Sequence, residues 1–388
     1  RLALIVVAVL SFISYYIGYL ISLIISRIRE YYADEHAAEL TENPNALSTG
    51  LVKIAYGLLV DAQAEDRKKS KVRAVKGLGI FDPGVAKAFA VSSVGKSGTF
   101  TRTAIQKAAA WDLFNPWAKY YQIFSTHPLP AKRIIRLNDQ CSFYNVQPEI
   151  DFSYARKLKE EQAGKTMMDE FLVDVLIKFL PIVIFVGLVA ATILWIFTAA
   201  GLYDLGPIFG MENLFSNLML FWAFGFYLIG FGVIVKIKFK YKSGFEPKQI
   251  VDLVTNIKVS PIRTVPAVLE GTIIGRGIPG YYFSDDLFFQ DDTGLMYIDY
   301  RFGLSIVDFF WAILRVKKLI GQRAKIKGWY RRGPSPYLQV DTIEVAGKRY
   351  RNYSKHLTYF WVVLAFIIGM VLLFIWYAAS PTGFFGLF

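Results

Sequence analysis

Glu30 and Asp34 stand four residues apart in SRIREYYADEHAAELT (26–41), with Glu35, His36 and Glu39 close by. On an α-helix that spacing stacks two carboxylates one turn apart on a single face. The chemistry open to such a pair is metal chemistry. A catalytic zinc takes three protein ligands and keeps one position open, so that its water falls to a pKa of about 7 and can attack a carbonyl. One carboxylate from a separate helix can complete two imidazoles of a His-Glu-x-x-His helix. A second, one turn on, can hold the tautomer of a ligand histidine. Taken alone the spacing is a weak signal, since acids four apart on an exposed helix are usually just a solvated face. The only histidines are His36, His127 and His356, and no His-Glu-x-x-His occurs. His36 lies about 240° around a helix from Glu30, so those two cannot grip one ion.

The outline of a scaffold comes from hydropathy. Residues 2–26 form an uncharged apolar run, and the acids begin just after it stops. Stretches 179–203, 213–235 and 357–388 are likewise free of charge. Each exceeds the roughly 20 residues that cross the hydrocarbon layer as a helix. With 54% of its 388 residues apolar and 16% aromatic, the chain is richer in both than a water-soluble protein. Lys and Arg outnumber Asp and Glu by 44 to 31, unevenly. KIKFKYK (236–242), KRYRNYSKH (348–356), Arg27 and Arg29 flank the apolar runs, whereas GLYDLGPIFGME (201–212) and everything after His356 lack Lys and Arg. By the positive-inside rule 27–178 and 236–356 face the cytoplasm of a multi-pass cell-membrane protein. Cys141 is the one cysteine, which excludes an internal disulfide and a thiolate metal cage and fits a reducing compartment. The chain opens on Arg1 within an apolar run, without an initiator Met, so residues upstream are expected.

The expected organisation is a transmembrane helix at 1–26, a helical region at 27–170, transmembrane helices at 171–203 and 213–235, a β-rich domain at 240–355 and a transmembrane helix at 357–379. In the helical region Asn43-Pro44 predicts a break, and Leu51, Ile54, Leu58 and Leu59 recur as on an amphipathic helix. EDRKKSKVRAVK (65–76) reads as a solvated or headgroup-facing surface. VGKSG (94–98) lacks the glycine that a phosphate loop carries four positions before its Gly-Lys pair. From 264 to 346 the pattern turns to short β-branched and aromatic runs: TVPAVLEGTIIG, YYFSDDLFFQ, GLMYIDYR, QRAKIKGWY and PYLQVDTIEV, with QDDTG as a hairpin turn. Five such strands make a small barrel of the OB type. FGLSIVDFFWAIL (302–314) is too short to cross a bilayer and carries Asp308, so it is read as lying on the membrane surface. Gly275, Gly277 and Gly280 match GxGxxG, but Pro279 interrupts them and no helix start follows. Lys325, Lys327, Trp329, Tyr330, Arg331 and Arg332 could stack on single-stranded nucleic acid. On a domain tethered between two spans anionic lipid is the expected partner instead, and nucleic acid is not.

An apolar span leading into SRIREYYADEHAAELT, followed by FSTHPLPAKRIIRL (124–137), resembles the HtpX family of membrane-integral zinc metalloproteases. The likeness covers about the first third of the chain. It implies an α-helical polytopic membrane protein with a helical, gluzincin-like zinc-peptidase region beside the small OB-like barrel, a domain similar to one that archaeal members append. By position it implies Glu30 as a zinc ligand and Asp34 as the acid that orients a ligand histidine. It implies His127 as a catalytic imidazole able to donate to the oxyanion, and Arg133 as a packing or salt-bridge residue. The missing His-Glu-x-x-His departs from the family, and the resemblance then puts the two imidazoles and the general base upstream of Arg1. The expected activity is hydrolysis of peptide bonds in misfolded or surplus membrane proteins at the cytoplasmic face, with Zn2+ as cofactor and the bilayer and protein substrates as partners. A homo-oligomer is left open. The alternative is a noncatalytic membrane scaffold whose OB-like domain binds lipid or protein.

Overall fold

Leu2–Thr41 form one helix, α1, because nothing in its 40 residues breaks it: there is no proline, and Gly18 is the single glycine. At 1.5 Å per residue it is about 60 Å long, twice the thickness of a hydrocarbon core. The apolar run and the acidic stretch are therefore one rod, which continues past residue 26. It stops where Glu42 turns to a positive φ of 49° ahead of Pro44. The computed structural model describes residues 2–48, 51, 102–150, 152–163, 167–199, 214–276, 286–300, 304–333 and 336–379. The amphipathic pattern beyond Leu51, the basic run 65–76, the VGKSG stretch, and Gly277 and Gly280 lie outside those residues.

Among the described residues four helices are long and apolar enough to cross a membrane: Val6–Thr41, Met168–Phe197, Leu218–Lys240 and Ser354–Ala378. The chain divides into two compact units, 1–171 with 243–352, and 172–242 with 353–388.

In the first unit α1 is followed by α2 (Arg102–Phe114), α3 (Pro116–Ile123), α4 (Pro130–Cys141) and α5 (Ser153–Ala163). Asn115 makes the corner between α2 and α3. Its Oδ1 accepts from Trp117 N at 2.9 Å, capping α3, and Pro116 supplies the preset φ of a first helical residue. Ala131, Ile134 and Ala155 lie in the apolar core of this region. Cys141 is buried as well, and that burial pushes its thiol up, away from the thiolate.

The second unit holds α6 (Met168–Ala199), α7 (Leu214–Lys240) and, at the end of the chain, α11 (Ser354–Ala379). Small residues let α7 and α11 approach. A Cβ on Gly369 would come within 3.1 Å of the Ala223 carbonyl oxygen, and one on Gly230 within 3.0 Å of the Phe366 ring. Trp222 donates to the Thr192 hydroxyl at 2.9 Å, which ties α7 to α6.

The β region opens with β1 (Glu246–Pro247) and α8 (Ile250–Val254), then β2 (Val265–Arg276), β3 (Leu287–Gln290) and β4 (Leu295–Asp299). A helical segment follows: α9 (Ser305–Trp311), a π-helical turn (Ala312–Val316) and α10 (Lys317–Leu319). β5 (Arg323–Arg332), β6 (Pro336–Val345) and β7 (Lys348–Arg351) complete it. Hydrogen bonding runs β2-β3-β4-β6-β5 and returns from β5 to β2, with β4 and β6 the one parallel pair in the circuit. Five strands thus close on themselves in the manner of an OB barrel, whose circuit leaves no free edge among its own strands. Leu269, Ile273, Phe289, Met296, Ile326, Leu338 and Ile343 fill the interior. At the expected QDDTG turn, Asp291 Oδ1 accepts from Thr293 N and Gly294 N at 2.6 and 2.9 Å. Gly328 sits where a Cβ would run into the Gln339 carbonyl oxygen, beside the irregularity that bends β5 across β6.

The basic aromatic run behaves otherwise than its sequence implies. Trp329, Tyr330, Arg331 and Arg332 are all buried rather than on the surface; of the six, Lys325 is exposed and Lys327 half-buried. The reason is that α2 lies across this end of β5. Trp111 donates to the Val259 carbonyl at 2.8 Å and Asn115 to the Ile257 carbonyl at 2.7 Å. Arg332, 1% exposed, pairs with the buried Asp112 at 3.3 Å and lies over the Trp111 ring. Burial pushes the Asp112 carboxyl up while the neighbouring guanidinium opposes the shift. Asp112→Ala strands that guanidinium in the interior and is expected to cost about 3–5 kcal/mol, read as a lower unfolding midpoint of the detergent-purified chain. Pairing Asp112→Leu with Arg332→Met should recover most of the loss, and an unchanged midpoint for Asp112→Ala would show that the pair adds nothing.

Candidate metal centre

α1 and α4 meet beyond the apolar run, where each turns charged side chains toward the other. Arg133 of α4 is the hub. Its Nε donates to Asp34 Oδ2 at 2.7 Å and its Nη2 to Oδ1 at 2.5 Å, a bidentate pair. Its Nη1 stands 3.0 Å from Glu30 Oε2. The helical spacing of four that stacks Glu30 over Asp34 is what lets one guanidinium reach both. One turn along α4, Arg136 meets Glu35 at 3.4 Å and lies over the Tyr31 ring at 5.0 Å. That second pair is about half exposed and holds the helices far less firmly than the Arg133 bridge, whose guanidinium side chain is 4% exposed.

His127 reaches the same carboxylate from the loop between α3 and α4. Its Nδ1 lies 3.3 Å from Glu30 Oε1. That is ion-pair distance without hydrogen-bond alignment, and Nδ1 is a buried nitrogen with no hydrogen-bond partner among the described residues. The loop is shaped locally. Ser125 Oγ donates to the His127 carbonyl at 2.8 Å and accepts from His127 N at 3.2 Å, and Pro130 begins α4 at its first position.

Arg27 also belongs to this site, although in the sequence it reads as a basic anchor of the first span. Its Nη1 donates to the carbonyls of Gln122 at 2.7 Å, Ile123 at 3.2 Å and Ser125 at 2.7 Å. They cluster at and just past the C-terminal end of α3, where carbonyls lack full helical partners, although the Gln122 carbonyl also accepts from Ser125 N at 3.2 Å; a cation there also meets the negative end of the helix dipole. Arg27 lies three residues before Glu30, so one face of α1 carries both the carboxylate and the clamp on the loop that bears His127. The spacing was visible in the sequence; the carbonyls it would meet, some 95 residues away, were not.

The four residues singled out in the sequence, Glu30, Asp34, His127 and Arg133, are thus brought together. His36 faces away, exposed, beside Glu39. Asp34 gives both oxygens to Arg133 and orients no histidine among the described residues. Two carboxylates against one guanidinium leave one negative charge, and a carboxylate oxygen faces a buried imidazole nitrogen that lacks a hydrogen bond. Of these side chains Glu30 is the one with a carboxylate oxygen not turned to Arg133, so it could supply the carboxylate share of a His2Glu zinc centre. They are not a full ligand set: no group of three His, Cys, Asp or Glu side chains able to hold a metal occurs among the described residues.

Comparison with known proteins agrees with the motifs. Residues 3–140 match the model of Peptidase family M48. A protease HtpX homolog of Bifidobacterium longum is 30% identical over 141 residues, 36% of this chain and 34% of that protein. A protease HtpX homolog of Methanothermobacter thermautotrophicus is 44% identical over 52 residues, 13% of this chain and 20% of that protein. The matched part spans about a third or less of the length of these relatives. No solved structure matches. The HtpX likeness of the first third is borne out: residues 3–140 resemble Peptidase family M48, and four helices among the described residues are long and apolar enough to cross a membrane.

Arg27→Ala releases three carbonyls at once. Amide exchange over residues 122–127 should quicken about tenfold or more, equivalent to about 1.4 kcal/mol of local opening. Exchange at the wild-type rate would remove Arg27 from the clamp.

Proposed function

We propose that the chain is part of a membrane-integral zinc metalloendopeptidase that hydrolyses peptide bonds of misfolded or surplus membrane proteins at the cytoplasmic face. The observation that carries this reading is the pairing of two half-buried side chains, the Glu30 carboxylate and the His127 imidazole, whose Nδ1 lies 3.3 Å from Oε1, within the stretch that matches a peptidase family.

Each residue has a separate task. Glu30 offers Oε1 to the cation, since Oε2 is turned to Arg133. Zinc, when bound, supplies the Lewis acidity that activates water toward a peptide carbonyl. Arg133 fixes the rotamer of Glu30 and reduces its charge. Asp34 holds Arg133 in plane through two hydrogen bonds, so it acts on Glu30 at one remove. His127 donates to the carbonyl oxygen of the substrate as negative charge gathers on it. Arg27 and Ser125 keep the His127 backbone from drifting, because a donor misplaced by an ångström loses much of its effect.

Glu30→Gln keeps the shape and removes the charge. Purified protein carrying it should retain no zinc by elemental analysis and cleave no model membrane substrate, while still inserting into the bilayer; retained metal and activity would take Glu30 out of the centre. His127→Ala should slow turnover by about 10²- to 10³-fold with KM little changed. If kcat stays within a factor of about two, His127 is only a loop residue and the oxyanion role fails.

A further inference from the structure

We propose that the helical segment between β4 and β5, Ser305–Leu319, is a membrane dock that lays the barrel against the lipid surface. The segment has two sides. On the inner one Trp311 stacks on Tyr300 with ring centroids 3.8 Å apart, and Ala312, Val316 and Leu319 are buried against the barrel. On the outer one Ile306 is 69%, Phe310 55% and Leu314 58% exposed, with Val307, Phe309 and Ile313 beside them. Burying each such side chain stabilises by about 1.5–3 kcal/mol, so a row of them left in water is costly. Outside the helices that can cross a membrane, the other large apolar side chains exposed among the described residues are single or adjacent pairs, such as Ile123 with Phe124, or Phe143. Scattered residues of that kind need no partner, whereas a continuous row does.

Two features commit the row to lipid. First, residues 241–245 join α7 to β1 and residues 352–353 join β7 to α11. At about 3.5 Å per residue these links are short, so the barrel is tethered at both its ends to helices long and apolar enough to cross a bilayer. Second, the apolar row runs directly into Arg315, Lys317 and Lys318, all exposed. Phe and Leu on one side with cations at the end is how an interfacial helix meets headgroups and acyl chains together. The dock is independent of any peptidase activity.

The test uses the full chain in nanodiscs of phosphatidylcholine with a minority of phosphatidylglycerol. In a Cys141→Ala background, an environment-sensitive fluorophore is attached at Phe310→Cys, at Leu314→Cys and, for reference, at Lys348→Cys on β7. The first two should be quenched by acyl-chain spin-labelled lipid and be at least about threefold less accessible to iodide than the third. Equal iodide access at all three positions would overturn the dock. Shielding from iodide without quenching by spin-labelled lipid would also overturn it, because a second copy or another protein would then cover the row. Charge reversal at Arg315, Lys317 and Lys318 should cut the lipid quenching about twofold in anionic discs, with the label at 348 reporting an intact barrel. Unchanged quenching there would refute the part assigned to the cations.

Discussion

A guanidinium withdrawn from water must be paired on every side, and Arg133 is paired by two carboxylates from one helix. Removing either acid would leave a charge in the interior, a cost of several kcal/mol that few other contacts of the helical region could offset. The requirement runs both ways. Because Asp34 and Glu30 are a turn apart on α1, α4 can dock on that helix in one register, and the loop preceding α4 is then delivered to Glu30. The location of His127 follows from the bridge rather than from any contact made by the histidine itself.

The barrel is joined to this arrangement through α2, whose Trp111 and Asp112 cover one end of β5 while α4 is fixed to α1. The helical region and the barrel share buried polar links at Asn115 and Arg332, so in the first unit they move as neighbours rather than as beads on a string. An inserted Ser305–Leu319 segment would therefore restrain the candidate centre as well as the barrel.

Much of this was legible in the amino-acid sequence, for physical reasons. The spans announce themselves by length and lack of charge, and the five barrel strands by β-branched and aromatic runs bounded by turn residues such as Asp291 to Gly294. Glu30 and Asp34 could be paired by helix period alone, whereas His127 and Arg133 were singled out by the resemblance of their segment to the HtpX family. What stayed hidden was partnership across long separations. Arg27 looked like any basic residue at the end of a span, since the carbonyls it clamps lie near position 123. The run from Trp329 to Arg332 looked like a basic surface for a related reason: β5 alternates exposed and buried residues only in its first half. Its second half is covered on both faces once α2 arrives, and no pattern within the strand records the arrival of another element.

The unbroken course of α1 has a mechanical corollary. With no hinge between Leu2 and Thr41, the rod cannot absorb a change in bilayer thickness by bending at the lipid boundary; it must tilt as a whole. Its lower part is the lever and its far end carries the carboxylates, so a thinner or thicker membrane swings Glu30 sideways by an amount set by the rod's length. Because Arg27 and Arg133 tie the His127 loop and α4 to the same rod, those neighbours are carried with it when it tilts.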